Sequence, residues 1–373
     1  MKNQTLKIVQ LIPELNEGGV ERGVVELSRE LVKLGFESIV ISNGGKLVEQ
    51  LERYGALHVK VNVCSKNIFT APFRIFKLYQ TLKTLSPNIL HVRSRVPAWM
   101  VFFANAFLHI RVVSTVHGFN SVSFYSRIMT RSDHVICVSN AIKTYIQKHY
   151  DTPESKITVI PRGIDLDKFN PEKVDATFTH QFKQQFQLEN KWVISTVGRI
   201  TQLKDLETFI EAIAILSQEF PNVVGLIVGG VREDKQNYFA SLQRLIESLH
   251  VKKYIHFCGS SEKVAEIYAL SDVVVSSSKK PESFGRSVAE AIALGTPVVA
   301  TNHGGVLDII LESQNGYFTQ IGDAKDLAQK IRQATALKFD GYSYISEHFS
   351  LSQMVEKTVI TYQNLVYFAD NLK

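Results

Sequence analysis

The chain has 373 residues, 45% of them hydrophobic and 21% charged, a composition that fits a globular fold and excludes collagen-like, disordered and multispanning membrane classes. A single core stops growing at roughly 250–300 residues, so two domains are expected. The net charge of +6 is unevenly placed: residues 1–170 carry 22 basic and 13 acidic side chains, residues 171–373 carry 20 and 23, and residues 60–148 hold twelve Lys and Arg against the single acid Asp133.

Short apolar runs alternate with helical periodicity along the chain, the pattern of βαβ units on a parallel sheet, so the predicted fold class is α/β. Residues 7–12 read as a strand, 13–19 as a loop, 20–34 as a helix closed by Gly35, and 36–42 as the next strand. Further strands are expected at 58–63, 88–92, 112–116, 134–138 and 157–160. Phe69, Pro72, Phe73, Ile75, Phe76, Leu78, Leu82 and Leu85 predict a Pro-started helix with Arg74, Lys77 and Lys83 on its wetter side. It reads either as a crossover helix packed on the core or as a basic amphipathic helix suited to a membrane surface. The most apolar window, residues 98–110, is interrupted by Asn105 and His109 and falls short of the ~20 residues that span a bilayer, so any membrane contact is expected to be peripheral. The N-terminus shows no signal-peptide core, so a cytosolic location is expected. Periodicity lapses between Pro161 and Lys191, dividing the chain into domains 1–170 and 171–350. It restarts with strands at 192–197, 223–228, 254–257, 273–276 and 297–300 and helices at 206–220 and 238–249, before a final helical pattern at 351–372. Two nucleotide-binding-type domains are indicated, each binding ligands beyond the carboxyl ends of its strands and together framing a cleft. Cys64, Cys137 and Cys258 lie far apart in apolar stretches without metal or redox spacing, and are expected to be buried, reduced thiols.

Four segments carry residues suited to chemistry. Gly18-Gly19 lies between the first strand and its helix, either as a tight turn or as a loop that brings an anion to a helix N-terminus. The chain contains neither G-x-G-x-x-G nor G-x-x-x-x-G-K-[ST], which argues against dinucleotide oxidoreduction and P-loop hydrolysis. His117, in Val116-His117-Gly118, ends a strand where a site of this fold lies, although a lone His is more often a structural one. Arg199 and Lys204 follow the first strand of the second half, suited to gripping a diphosphate. Glu282 and Glu290 flank Ser283-Phe284-Gly285. Eight residues apart, about 12 Å if helical, they serve two parts of one extended ligand, one carboxylate accepting the hydrogen bonds of a vicinal diol.

In this order the motifs Gly18-Gly19, Val116-His117-Gly118, Val138-Ser139-Asn140, Ile160-Pro161-Arg162-Gly163-Ile164-Asp165, Gly198-Arg199 with Lys204, and Glu282-x7-Glu290 followed by Gly304-Gly305 resemble those of the glycosyltransferase family 4 enzymes, across nearly the whole chain. The resemblance implies a retaining GT-B fold of two Rossmann-like domains facing across a cleft, with the last helix crossing back onto the first. It implies that Glu290 holds a ribose diol, Arg199 and Lys204 the diphosphate, Gly19 a phosphate or sugar through its backbone, and Glu282, Phe284, Gly285 and His117 the transferred sugar, with Gly18 and Ser283 completing the donor set. Glu282, His117, Arg199 and Lys204 would be catalytic. Departures at Arg162, where the family often has Asn, and at Ser283, where it often has Gly or Ala, leave the donor undefined among UDP-, GDP- and ADP-sugars. Asp165-Leu166-Asp167 formally fits a metal motif but sits in the linker, and the family's fold normally needs no metal or other cofactor. The expected acceptor is a lipopolysaccharide, polysaccharide or lipid-linked saccharide, with Arg93 and Arg95 as candidate acceptor contacts in the basic first domain. That domain is also expected to touch the anionic inner face of the membrane and not nucleic acid. An epimerase of the same fold and a silent sugar-nucleotide-binding or scaffold protein remain as alternatives.

Overall fold

Seven apolar runs form strands of one parallel sheet because helices cover both of its faces: β1 Lys7–Leu11, β2 Glu37–Ser42, β3 Leu57–Lys60, β4 Ile89–Val92, β5 Arg111–Val116, β6 His134–Cys137 and β7 Ile157–Val159. The computed structural model describes residues 6–16 and 18–370. The strand order is β3-β2-β1-β4-β5-β6-β7. The chain winds outward from β1, then returns to set β4 beside it, Leu11 pairing with Val92 at their carboxyl ends. That reversal opens a crevice where such sheets hold ligands. The helix Gly19–Lys33 buries Val24, Leu27 and Leu31 against the sheet. The helix Leu351–Asp370 packs on the same core, with Leu351, Val355 and Tyr362 among Ile8, Leu27, Leu31 and Ile89.

A second parallel sheet comprises β8 Trp192–Val197, β9 Val223–Val228, β10 Ile255–Gly259, β11 Val273–Ser276, β12 Val298–Thr301 and β13 Gly316–Thr319, ordered β10-β9-β8-β11-β12-β13. The winding again reverses, here between β8 and β11. Ile194, Phe209, Ile213, Leu216, Ile227 and Leu242 centre the core on one face. The chain divides into two compact units, Met1–Gly163 with Leu351–Lys373, and Ile164–Ser350; the boundary expected from the lapse in periodicity falls a little later, between residues 170 and 171.

Two expectations are corrected. The helix Ala71–Leu85 buries only Leu78 and Leu82, while Phe73 and Phe76 face outward. Arg74 turns in to donate to the Asn67 carbonyl at 2.7 Å and to Thr70 Oγ1 at 3.2 Å, while Lys77 and Lys83 are exposed as expected, so the departure is that the Phe73 and Phe76 rings share the wetter side with them. Of the thiols only Cys137 is fully buried, Cys64 and Cys258 being partly exposed, and burial pushes the Cys137 thiol up to about 12.

Candidate functional site

In the second unit the switch between β8 and β11 gathers three loops. Gly198, just after β8, has no side chain, so the Lys204 stem folds over it; a Cβ there would lie 3.1 Å from Lys204 Cε. Ser277, just after β11, fixes the other side by donating to the carbonyls of Lys204 and Asp205, each at 3.0 Å. Lys204 Nζ thereby meets Glu282 Oε1 at 2.5 Å, and Ser278 Oγ donates to the same oxygen at 2.8 Å. The loop after β12 supports Glu282 from beneath: Gly305 N donates to its carbonyl at 2.6 Å. Gly304 has φ 78°, and a Cβ there would fall 2.4 Å from that carbonyl oxygen. Burial opposes ionisation of Glu282, but Lys204, Ser278 and His303 outweigh it and hold the carboxyl below its ordinary value. Arg199, on the same loop as Lys204, is exposed and makes no ion pair or side-chain hydrogen bond among the described residues, leaving a guanidinium open to an anion.

Glu290 sits on the helix Arg286–Ala293, capped by Gly285 at φ 99°. A buried carboxylate needs partners, and it has two: Arg286 Nε donates to Oε1 at 2.9 Å and Tyr268 Oη to Oε2 at 3.3 Å. Burial raises its pKa nonetheless, Arg286 offsetting only part of that cost. Each oxygen retains lone-pair capacity for a ligand hydroxyl. Phe284 is 2% exposed, its ring 6.0 Å from that of Phe349, so it presents only backbone to a ligand, beside the half-buried Ser283.

In the first unit the crevice beyond β1 and β4 is lined by a buried polar chain. Tyr362 Oη and His91 Nδ1 lie 2.6 Å apart, His91 Nε2 and Thr115 Oγ1 2.6 Å apart, and Arg93 donates to Thr115 Oγ1 at 3.2 Å and to Gln10 Oε1 at 2.7 Å. Arg93 has no carboxylate partner among the described residues, and burial lowers its pKa to about 10. Arg95 donates to Ser126 Oγ at 3.0 Å and lies 5.5 Å from the Tyr125 ring centroid. His117 follows β5. Burial, then Arg162, Arg93 and His91, drive its pKa well below the ordinary value, so the ring is neutral. Arg162 Nη2 donates to its Nδ1 at 3.3 Å, which leaves the proton on Nε2. That Nε2 is buried without a hydrogen-bond partner among the described residues, an arrangement suited to donating to a ligand hydroxyl. Gly18 has φ −82° and Gly19 is not among the positive-φ glycines, so neither position demands glycine for its conformation. A Cβ on Gly18 would meet the Glu21 carboxylate at 2.0 Å and one on Gly19 the Arg162 guanidinium at 3.1 Å.

The sequence-predicted residues thus separate by unit. Arg199, Lys204, Glu282, Ser283, Phe284, Gly285 and Glu290 surround the β8/β11 switch, whereas Gly18, Gly19, Arg93 and His117 surround the β1/β4 switch. Sequence reasoning passed over Ser278, Tyr268 and Arg286. Arg286 was readable as an i,i+4 partner of Glu290; Tyr268 leaves no such trace. Asp167, in the formal metal motif, pairs with Lys173 at 2.7 Å.

Residues 17–168 match the family description Glycosyltransferase Family 4, and residues 178–346 match Glycosyl transferases group 1. A glycosyltransferase from Rickettsia africae ESF-5 superposes with a TM-score of 0.89 at 29% identity, covering 97% of this chain and 99% of that one. N-acetyl-alpha-D-glucosaminyl L-malate synthase of Bacillus anthracis is 27% identical over 334 residues, 83% of each chain. D-inositol 3-phosphate glycosyltransferase of Corynebacterium urealyticum is 31% identical over 211 residues, 56% of this chain and 49% of that relative, so the alignment spans about half its length.

Proposed function

Because the chain belongs to the family 4 glycosyltransferases of the GT-B type, we propose that it transfers a sugar from a nucleoside-diphosphate donor to a hydroxyl of a saccharide, lipopolysaccharide or lipid-linked acceptor, with retention at the anomeric carbon and without a metal ion. The observation that carries this reading is the convergence, at one sheet switch, of a supported carboxylate at Glu290, an open guanidinium at Arg199 and the Lys204–Glu282 pair. Glu290 accepts a ribose diol. Arg199 and Lys204 take the diphosphate, Lys204 exchanging part of its contact with Glu282 for phosphate oxygens. Glu282 and the backbone of Ser283, Phe284 and Gly285 then hold sugar hydroxyls; within the first unit, the Nε2–H of His117 is suited to donating to a ligand hydroxyl. In the transfer the bond from the anomeric carbon to the diphosphate oxygen breaks as the acceptor oxygen bonds to the same face, and the acceptor proton passes to a departing phosphate oxygen. Charge developing on the diphosphate is what Arg199 and Lys204 stabilise.

Release of nucleoside diphosphate from UDP-, GDP- and ADP-sugars tests the reading. One donor is expected to turn over, and the Arg199→Ala/Lys204→Ala double variant to lose about 10²–10³-fold in turnover. Undiminished turnover in that variant overturns the site assignment. Conversion of the sugar without an acceptor indicates epimerisation instead, and a nuclear magnetic resonance assignment of the product anomer reads retention directly.

A further inference from the structure

The first unit exposes an aromatic surface that its core does not need. Phe69, Phe73, Phe76, Phe107 and Phe124 are 84, 80, 62, 82 and 70% exposed. Positions 69, 73 and 76 fall on one outward stripe running onto the helix Ala71–Leu85, while Leu78 and Leu82 face inward. This helix lies against the helix Arg95–Ala104, Arg74 Nη1 approaching Met100 Sδ at 3.5 Å. On that second helix Trp99 stacks at 6.0 Å on Phe103 and at 6.4 Å on Tyr125, and contacts Phe124 at 5.6 Å. The two packed helices and the turn at Phe124–Arg127 therefore gather exposed rings on one region of the first unit, beyond the single scattered apolar residues normal on soluble proteins.

Charge identifies what covers it. Lys66, Lys77, Lys83, Arg127 and Arg131, carried on or beside these same elements, are exposed. The only acid in residues 60–148, Asp133, is already paired with Arg111 at 3.1 Å. A second copy of the chain would oppose this basic rim with an identical one. An anionic bilayer presents what both parts of the surface require: phosphates for the cations and an interfacial layer that accepts aromatic rings. No helix among the described residues is long and apolar enough to cross a membrane.

We propose that this face docks the protein on an anionic lipid surface, Phe69, Phe73, Phe76, Phe103, Phe107 and Phe124 entering the boundary between headgroups and acyl chains while the basic rim contacts phosphates. The inference is independent of which donor the second unit binds.

The test is flotation of the full chain with vesicles of phosphatidylcholine alone or mixed with phosphatidylglycerol. The protein is expected to float with the mixed vesicles and less at high salt, and the variant F69S/F73S/F107S to partition about tenfold or more less well. These rings are exposed, so the variant should retain the wild-type unfolding midpoint. In a Trp192→Phe background, Trp99 emission is expected to shift to the blue on adding the mixed vesicles. Failure of the wild type to float with phosphatidylglycerol, or equal flotation of the variant, overturns the proposal. So does a concentration-dependent dimer that the same substitutions abolish without vesicle binding, which would assign the face to a second copy.

Discussion

The Lys204–Glu282 contact gives a quantitative prediction. Glu282 Oε1 accepts from Lys204 Nζ at 2.5 Å, with the two side chains only 27% and 28% exposed. Removing one partner of a fully buried pair costs about 3–5 kcal/mol, because the other charge is left stranded. Here residual water access and the Ser278 hydrogen bond at 2.8 Å soften the loss, so Lys204→Ala should cost about 1–3 kcal/mol. Glu282→Gln should cost less, since an ammonium on a flexible stem can turn to solvent. The double variant should be milder than the sum, with a coupling of about 1 kcal/mol or more. Trp192, 5.1 Å from the Phe220 ring, reports unfolding of the second unit in a Trp99→Phe background, read as urea midpoints. Loss of Lys204 also removes the largest of the effects that hold the Glu282 carboxyl below its ordinary value, so its pKa should rise. The acid limb of kcat/KM should accordingly move to higher pH in Lys204→Ala if residual activity permits the profile. Additivity within about 0.3 kcal/mol would refute the pair, and with it the reading that Lys204 and Glu282 share one site.

Other perturbations follow from the same geometry. Because burial raises the Glu290 carboxyl, donor KM should rise as pH falls through that raised range; Glu290→Gln should have a donor KM about tenfold or more higher, flat over the same pH interval. His91 and His117 are both held neutral, burial being the main cause. The unfolded chain therefore takes up their protons first, and the first unit should lose stability as pH drops below about 6.5, by up to ~1.4 kcal/mol per pH unit for each ring; a Trp99-monitored midpoint unchanged between pH 7.5 and 5.5 would contradict this. Gly304→Ala, with φ 78° and a Cβ 2.4 Å from the Glu282 carbonyl, should cost more stability and more donor affinity than Gly322→Ala, with φ 73° and nothing within 4 Å. The second substitution bears only the backbone strain of about 1 kcal/mol.

Much of the fold could be read from periodicity because buried parallel strands are continuous apolar runs: Trp192–Val197, Val223–Val228 and Val273–Ser276 fall where the pattern placed them. β13 did not declare itself, since Gly316–Thr319 is a four-residue edge strand with only two central side chains to signal it. At the helix Ala71–Leu85 the pattern left a core-packed and a surface reading open, because apolarity alone does not fix burial: its two Phe rings, Phe73 and Phe76, face outward. Glycines and charged residues at strand ends marked both switch crevices, yet the contacts within them join distant positions. Lys204 and Glu282 are 78 residues apart and His91 and Tyr362 are 271 apart, separations that no local pattern encodes. Nor could sequence show that His117 Nε2 has no hydrogen-bond partner among the described residues while Arg162 occupies the other ring nitrogen.

The central claim, that the β8/β11 switch binds a nucleoside-diphosphate sugar, is tested most directly by Trp192-monitored thermal unfolding across a panel of UDP-, GDP- and ADP-sugars. A ligand bound only by the folded unit stabilises it by mass action, about 2.7 kcal/mol at a hundredfold excess over Kd. One donor class is predicted to raise the midpoint in the wild type, and Glu290→Gln or Arg199→Ala to reduce the shift severalfold. No shift with any sugar nucleotide at saturating concentration, or a shift that survives both substitutions unchanged, would contradict the account.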